Sequence, residues 1–394
     1  MEIPLKGFPP QAFVKDAAKE IAAATDLRLR LLLVEHKSSD YPLNDIAATW
    51  TECTPQTAAQ FSAIAYLFGR TIAASENVPI GLIDSTWGGT PDDSWVSLDM
   101  LSTRPDLIPA FASRARFADE LTDMDLTVAA EKSEDEAAKA AGKPVPQHPW
   151  HPWVTSWLPA GLYNGMIAPF TPFAIKGFLW YQGETNSSSD RASVYDELLA
   201  ELIRDWRSHF QQGNLPFLYV QISSFNSPAD DWGMVRDAQR RVLRVAGTAM
   251  AVTLDLGEAD NVHPPDKQTV AARLALAARN LVYGANVPYQ GPLFREASAE
   301  LNPDGSTSLC VWFDHADGLT FRGQPTGGFE LAGEDHRFVP ADARVDGSTV
   351  IVSSRALQHV VYVRYGWMNV VANYLSNSAG LPTSTFSSEQ NPVH

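Results

Sequence analysis

Two short segments of this sequence carry residue types that could act together on a carbonyl, as a hydrolase does. In Phe178-Leu179-Trp180-Tyr181-Gln182-Gly183-Glu184-Thr185-Asn186 an apolar run ends abruptly in an amide, a glycine and a carboxylate, polar groups that can surround a reacting carbonyl. Downstream, Asp260-Asn261-Val262-His263 sets a carboxylate three positions before an imidazole. At that spacing the acid can hold one ring nitrogen and leave the other to accept a hydroxyl proton. The bland reading of the same residues is a turn capped by Asp260, with His263 merely preceding Pro264. A third segment, Asp84-Ser85-Thr86-Trp87-Gly88-Gly89-Thr90-Pro91, offers Gly88 or Gly89 as a backbone N–H donor to an oxyanion. Gln182 is the candidate side-chain donor to the same hole, and Glu184 a support for the loop or the imidazole. Read alone, the glycine pair is equally a tight turn that needs positive φ.

These segments need elements that bring them together. Apolar, β-branched runs at Leu29 to Val34, Ile80 to Ile83, Ala174 to Tyr181, Phe217 to Ile222 and Ala249 to Leu256 read as buried parallel strands. Between them, Thr57 to Ser75, Val194 to Phe210, Gly233 to Val245 and Asp266 to Tyr283 carry apolar residues at helical spacing. The alternation predicts an α/β domain over residues 1–289, with ligands bound beyond the carboxyl ends of the strands, where the WGGTP and QGETN segments fall. Leu101 to Gln147 reads as an acidic, Ala-rich helical insertion with a solvated charge run at 131–136. Trp150 and Trp153 in the following His-Pro-Trp-His-Pro-Trp segment, together with Trp87, offer indole faces to a sugar ring, although buried anchors of a loop are an equal alternative. From residue 290 onward short strand-like runs separated by Asp-Gly and Gly-Gly turns predict a small β-sandwich-like module over 290–394.

Composition narrows the partners. With 46 acidic against 30 basic residues the formal charge is -16, which repels nucleic acid and anionic membranes and suits a neutral, sugar-like substrate. Cys53 and Cys310 stand far apart, so neither a disulfide framework nor a thiolate metal site is expected. No metal or organic cofactor is called for. No run reaches the roughly 18 to 20 apolar residues of a membrane helix. No signal peptide opens the chain, and localisation stays open.

On FSAIAYLFGR, LIDSTWGGTP, LYNGMIAPF followed by FAIKGFLWYQGETN, VRDAQRRVL, DNVHPPDK, VRYGW and GLPTSTF, nearly the whole chain resembles the sialate O-acetylesterase family of SGNH hydrolases. The resemblance implies a flavodoxin-like parallel sheet flanked by helices and a serine esterase that removes O-acetyl groups from sugars, sialic acid and xylan being equally compatible. By position it implies His263 as general base, Asp260 as its orienting acid, and Gly88 or Gly89 with Gln182 as oxyanion donors. It suggests a secreted or periplasmic setting. In that family the nucleophile is the Ser of a Gly-Gln-Ser-Asn-Met-Glu segment after the first strand, whereas this chain opens Met1-Glu2-Ile3 at the motif's own Met. The expectation is therefore that the serine and its strand lie upstream of Met1, and that the chain as given turns over little. Ser85 and Ser187 to Ser189 stand nearby, but none sits in a strand-to-helix elbow. A flavodoxin-like order puts the upstream strand between those at Leu29 and Ile80. Two alternatives remain: a noncatalytic carbohydrate-binding protein that holds a glycan on Trp150 and Trp153, and an inert fragment.

Overall fold

The computed structural model describes residues 1–107, 126–148, 151, 154–323 and 327–389. Six strands build the first part of the chain: β1 (Asp26–Leu33), β2 (Thr51–Cys53), β3 (Ile80–Asp84), β4 (Phe178–Trp180), β5 (Phe217–Gln221) and β6 (Thr248–Val252). They form two three-stranded sheets, ordered β2-β1-β3 and β4-β5-β6. Every pairing is parallel except that of β2, the strand the sequence reading lacked, which runs antiparallel to β1. Four helices cover the sheets: α1 (Ala63–Glu76), α2 (Tyr195–Phe210), α3 (Trp232–Arg241) and α4 (Lys267–Leu281).

Each residue of β5 and β6 is buried, which is why these strands read as unbroken apolar runs without polar alternation. Leu218 and Val220 of β5 join α1, α4 and β1 in one apolar cluster, while Phe217 and Tyr219 join α2 and α3 in the other. The two-residue period of a strand thus divides a single run between two helical layers.

The expected helix from Thr57 to Ser75 is interrupted. A short helix, Pro55–Gln60, stops before Phe61, and Ser62 then caps α1, its hydroxyl oxygen accepting the Ala65 N–H at 3.2 Å. Ser62 in turn donates its own N–H to the Asp84 carboxylate at 2.9 Å, tying the start of α1 to the end of β3. At α4 the cap is Asp266, which accepts from the Thr269 amide at 3.0 Å. Such caps are worth about 1 kcal/mol each, and this one starts the helix three residues after His263. In the expected insertion, Leu98–Ser102 and residues 126–140 are helical, and residues 108–125 lie outside the described part.

Beyond α4 come β7 (Leu293–Leu301), β8 (Thr307–Asp314), β9 (Thr320–Arg322), β10 (Phe329–Ala332), β11 (Val339–Pro340), β12 (Asp342–Asp346), β13 (Thr349–Ser353), β14 (Tyr362–Tyr365), β15 (Tyr374–Ser376) and β16 (Phe386–Ser387). They form antiparallel sheets ordered β11-β10-β14-β16 and β12-β13-β8-β7, with β15 and β9 as a separate pair. Phe313, Phe329, Tyr365 and Phe386 bring both larger sheets into the same apolar cluster as α2 and α3.

One expectation about the sheet is corrected. β1 and β3 pair directly, from Leu29 opposite Ile80 to Leu33 opposite Asp84, and strands about 4.8 Å apart leave no room between them for another. The opening lies elsewhere. Among the described residues β3 pairs only with β1 and β4 only with β5, and both line one cavity of about 1550 Å³. Phe68 and Ile72 of α1 wall it on one side and Trp206 and Phe210 of α2 on the other. It is an apolar slot between two parallel strand edges, with the helical layers as its faces.

Candidate active site

The mouth of this cavity lies at the carboxyl ends of β3 and β4. Trp87, Gly88, Gly89, Gln182, Glu184 and His263 all line it, so the cavity joins the three segments singled out in the sequence. Met1 stands there too: its amino group donates to the Tyr181 carbonyl at 3.5 Å, and its carbonyl accepts the Ser62 hydroxyl at 2.8 Å.

The Gly88 N–H donates to a carboxylate oxygen of Glu2 at 2.5 Å, and the other oxygen meets His36 Nε2 at 3.1 Å. His36 in turn stacks on Trp87, with ring centroids 4.3 Å apart and planes 7° from parallel. Burial works to raise the Glu2 carboxyl, but hydrogen bonds from His36 and Gly88 outweigh it and hold the group below the usual glutamate range. The amide at Gly88 therefore already binds an anionic oxygen. Gly89 adopts a φ of 70°, a conformation glycine enters without a Cβ penalty. Its carbonyl accepts the Trp157 indole N–H at 2.8 Å. Among the described residues its N–H has no partner.

Gln182 is placed differently from the expectation. Its side chain is buried, and the amide nitrogen donates both to the Thr90 carbonyl at 3.1 Å and to Asn186 Oδ1 at 2.6 Å. Tyr195 Oη donates to its amide oxygen at 2.8 Å. With both N–H groups committed, Gln182 ties the glycine loop to the loop after β4 and presents no free donor to an oxyanion. Ser85 is likewise engaged, donating to the Met166 carbonyl at 2.7 Å, and Ser187 to the Glu184 carbonyl at 2.6 Å.

His263 stands at the open rim. Burial against the protein on its inner side, then the Lys267 charge, lowers its imidazole below the ordinary value, while the Gln11 backbone carbonyl, accepting a ring N–H, works the other way. Lys267 is itself buried, and its ammonium is pushed down to about 8 against the pull of Glu184 and Asp266. Burial raises the Glu184 carboxyl, with its own amide, the chain's amino group and Lys267 opposing.

Asp260 does not join them. It is exposed, lies outside the cavity lining, and comes within 4.0 Å of no ring nitrogen of His263. The reason is the turn itself. The Asn261 side chain, rather than Asp260, organises it, accepting the His263 amide at 2.9 Å and donating to Glu258 at 2.8 Å, which leaves Asp260 on the solvent side. The backbone group that acts on the imidazole is the Gln11 carbonyl, which works to raise it. Sequence reasoning missed Glu2, Gln11, His36 and Lys267. Of these only Lys267, four residues after His263 at the start of α4, had a positional signal. Trp150 and Trp153 lie outside the described residues. Among the described residues no group of three or more His, Cys, Asp or Glu side chains could hold a metal ion, and no helix is long and apolar enough to cross a membrane.

The family model for "Carbohydrate esterase, sialic acid-specific acetylesterase" matches residues 149–280, the stretch that carries the loop after β4 and His263. Sialate O-acetylesterase from Mus musculus is 29% identical over 392 residues, covering 91% of this chain and 70% of that protein. Its Homo sapiens counterpart is 30% identical over 311 residues, covering 71% of this chain, which spans about half (52%) of the human protein. The crystal structure of a carbohydrate acetylesterase from Xanthomonas citri superposes with a TM-score of 0.79 at 34% identity, covering 98% of this chain and 78% of that one. Relatedness at this level along nearly the full length, with the matched stretch falling on the cavity's own loops, means that the chain belongs to the sialate O-acetylesterase family of carbohydrate esterases.

Proposed function

We propose that this protein removes O-acetyl groups from sugars by serine-esterase chemistry on an SGNH-type domain over residues 1–289, packed against a β-sandwich module over 290–394. A serine hydroxyl attacks the acetyl carbonyl while His263 takes its proton. The sugar oxygen leaves with that proton, and the acetyl-enzyme is cleaved by a water that His263 activates in turn, releasing acetate. The Gly89 N–H, without a partner among the described residues, is the preferred oxyanion donor, with Gly88 joining it once Glu2 yields. Gln182 and Glu184 act as supports. The observation that carries this reading is the bond from Gly88 to Glu2: an anionic oxygen is held by a backbone amide in the cavity that His263 lines.

The nucleophile is proposed to stand two residues before Met1, on a strand seated in the slot between β3 and β4. Support comes from the position of Met1 at the mouth of that slot, beside Tyr181 at the end of β4. The 394-residue chain alone is then expected to turn over little. The test compares it with a chain extended N-terminally by an apolar strand and Gly-Gln-Ser-Asn, using p-nitrophenyl acetate. Hydrolysis only in the extended chain, lost with His263→Ala, supports the proposal. Hydrolysis by the unextended chain that His263→Ala abolishes overturns the placement of the nucleophile. An extended chain that binds acetylated sugar without cleaving it would instead support the noncatalytic carbohydrate-binding reading.

A further inference from the structure

One place where the C-terminal strands meet the α/β layers is the turn at residues 366–371, which follows β14. We infer that this turn is a positioning element for His263, acting through the loop after β5, so that the C-terminal β region is an integral part of the site.

Three hydrogen bonds join the turn to that loop. Asn369 Nδ2 donates to the Ser227 carbonyl at 2.5 Å, the Phe225 N–H to the Asn369 carbonyl at 3.1 Å, and the Val371 N–H to Ser224 Oγ at 3.1 Å. The loop then passes the constraint on. Ser224 Oγ donates to the Leu254 carbonyl at 3.1 Å, and the Asn226 N–H to the Ala259 carbonyl at 3.0 Å. Gly257 presses so closely on Ser224 that a Cβ there would lie 2.2 Å from its carbonyl oxygen. From Ala259 the Asn261 turn leads directly to His263. One side of the intermediate loop lines the cavity through Phe225 and Ser227, and the other rests on the C-terminal turn.

The turn itself is clamped. Arg236 of α3, fully buried, donates to the carbonyls of Gly366 at 2.9 Å and Met368 at 2.5 Å. Burial lowers this guanidinium to about 9, and among the described residues its N–H groups donate to backbone carbonyls. A Cβ on Gly233 would meet the Trp367 carbonyl oxygen at 2.2 Å, leaving the turn no slack against α3. The inner part of this chain, Arg236, Gly366, Ser224 and Leu254, is buried, and packed interiors deform little, so a displacement of the turn reaches the exposed Asn226–Ala259 bond and the Asn261 turn beyond it.

The inference rests on His263 as the base, and its test has a readout that needs no turnover. With ¹³C-labelled histidine, the nine histidine ring signals are followed by NMR, that of His263 being assigned by its loss in His263→Gln. Asn369→Ala and Ser224→Ala are expected to move the His263 signal and its titration midpoint, whereas Trp312→Ala, on an exposed face of β8, leaves both unchanged. In the serine-bearing extended chain the first two variants should lower kcat roughly tenfold at constant KM. Should Asn369→Ala fail to fold, Ser224→Ala, which removes a single hydroxyl, gives the same reading. Unaltered His263 signals and midpoint in folded Asn369→Ala and Ser224→Ala overturn the inference. Absence of turnover in every chain, with the His263 signal still moving, would count against the esterase reading and leave this inference standing.

Discussion

Replacing Gly257 by Ala asks how closely the loop after β6 must be held. The new methyl would lie 2.2 Å from the carbonyl oxygen and 2.3 Å from the amide nitrogen of Ser224, backbone atoms that cannot rotate aside. Ordinary van der Waals contact begins near 3.4 Å, so the two loops must part by about 1 Å. Overpacking of this kind costs about 1–3 kcal/mol. For a chain of 394 residues, with an unfolding entropy of about 2.1 cal/mol/K per residue, that lowers Tm by only roughly 1–4 °C. Catalysis should suffer far more, because a 1 Å misplacement of a reacting group costs on the order of 10²-fold in rate. The assay measures kcat/KM on p-nitrophenyl acetate and Tm by calorimetry in the serine-bearing extended chain, with Gly333→Ala as control. At Gly333 the nearest atom to an added methyl is 3.5 Å away, so neither quantity should fall. A Gly257→Ala protein with unaltered Tm and unaltered kcat/KM would refute the claim that the contact with Ser224 holds the His263 loop in register.

Three further outcomes follow from the site. Because Asp260 lies away from the imidazole, Asp260→Asn should lower kcat less than about tenfold, whereas a loss near 10⁴-fold, the scale seen when a triad carboxylate is removed, would mean that it orients His263 after all. Catalysis needs neutral His263, whose imidazole is lowered by burial and then by Lys267; the rate should therefore rise with pH through a value below that of a free imidazole, and Lys267→Met, which removes a repelling cation, should move the rise to higher pH. An unmoved acid limb in kcat/KM would show that Lys267 does not act on the ring. The Glu2 carboxyl is held below its unfolded value, so its contribution to stability is fully present above the ordinary carboxylate range and is lost as pH falls through the folded value; Glu2→Gln should flatten that part of a plot of Tm against pH, and an unchanged slope would show that the contacts to His36 and Gly88 contribute nothing.

Much of the frame was legible because its signal is local. The runs at Leu29, Ile80 and Phe217 became strands, the last buried at every residue and the first two only in part, and Val194 to Phe210 became α2 almost to the residue. Boundaries were less legible. The apolar stretch from Ala174 yields only Phe178–Trp180 as a strand, and Leu293–Leu301 was missed because its charged residues mask an alternation that faces solvent on one side. At the site, the glycine pair, Gln182, Glu184 and His263 were found from residue type, and they share one cavity. Their partners were not, because no spacing links Glu2 to Gly88 or Gln11 to His263.

The sequence by itself determined the layered α/β frame, the short antiparallel strands after it, the family, and which side chains could do chemistry, since period, turn residues and motif are properties of neighbours along the chain. Only the tertiary structure decided that β1 lies against β3 with the open slot beyond it, that Gln182 is a strut, that Asp260 faces away, and that the turn at 366–371 backs the His263 loop. Those outcomes depend on hydrogen bonds and contacts between residues far apart in sequence, where geometry in space, not separation along the chain, selects the partner.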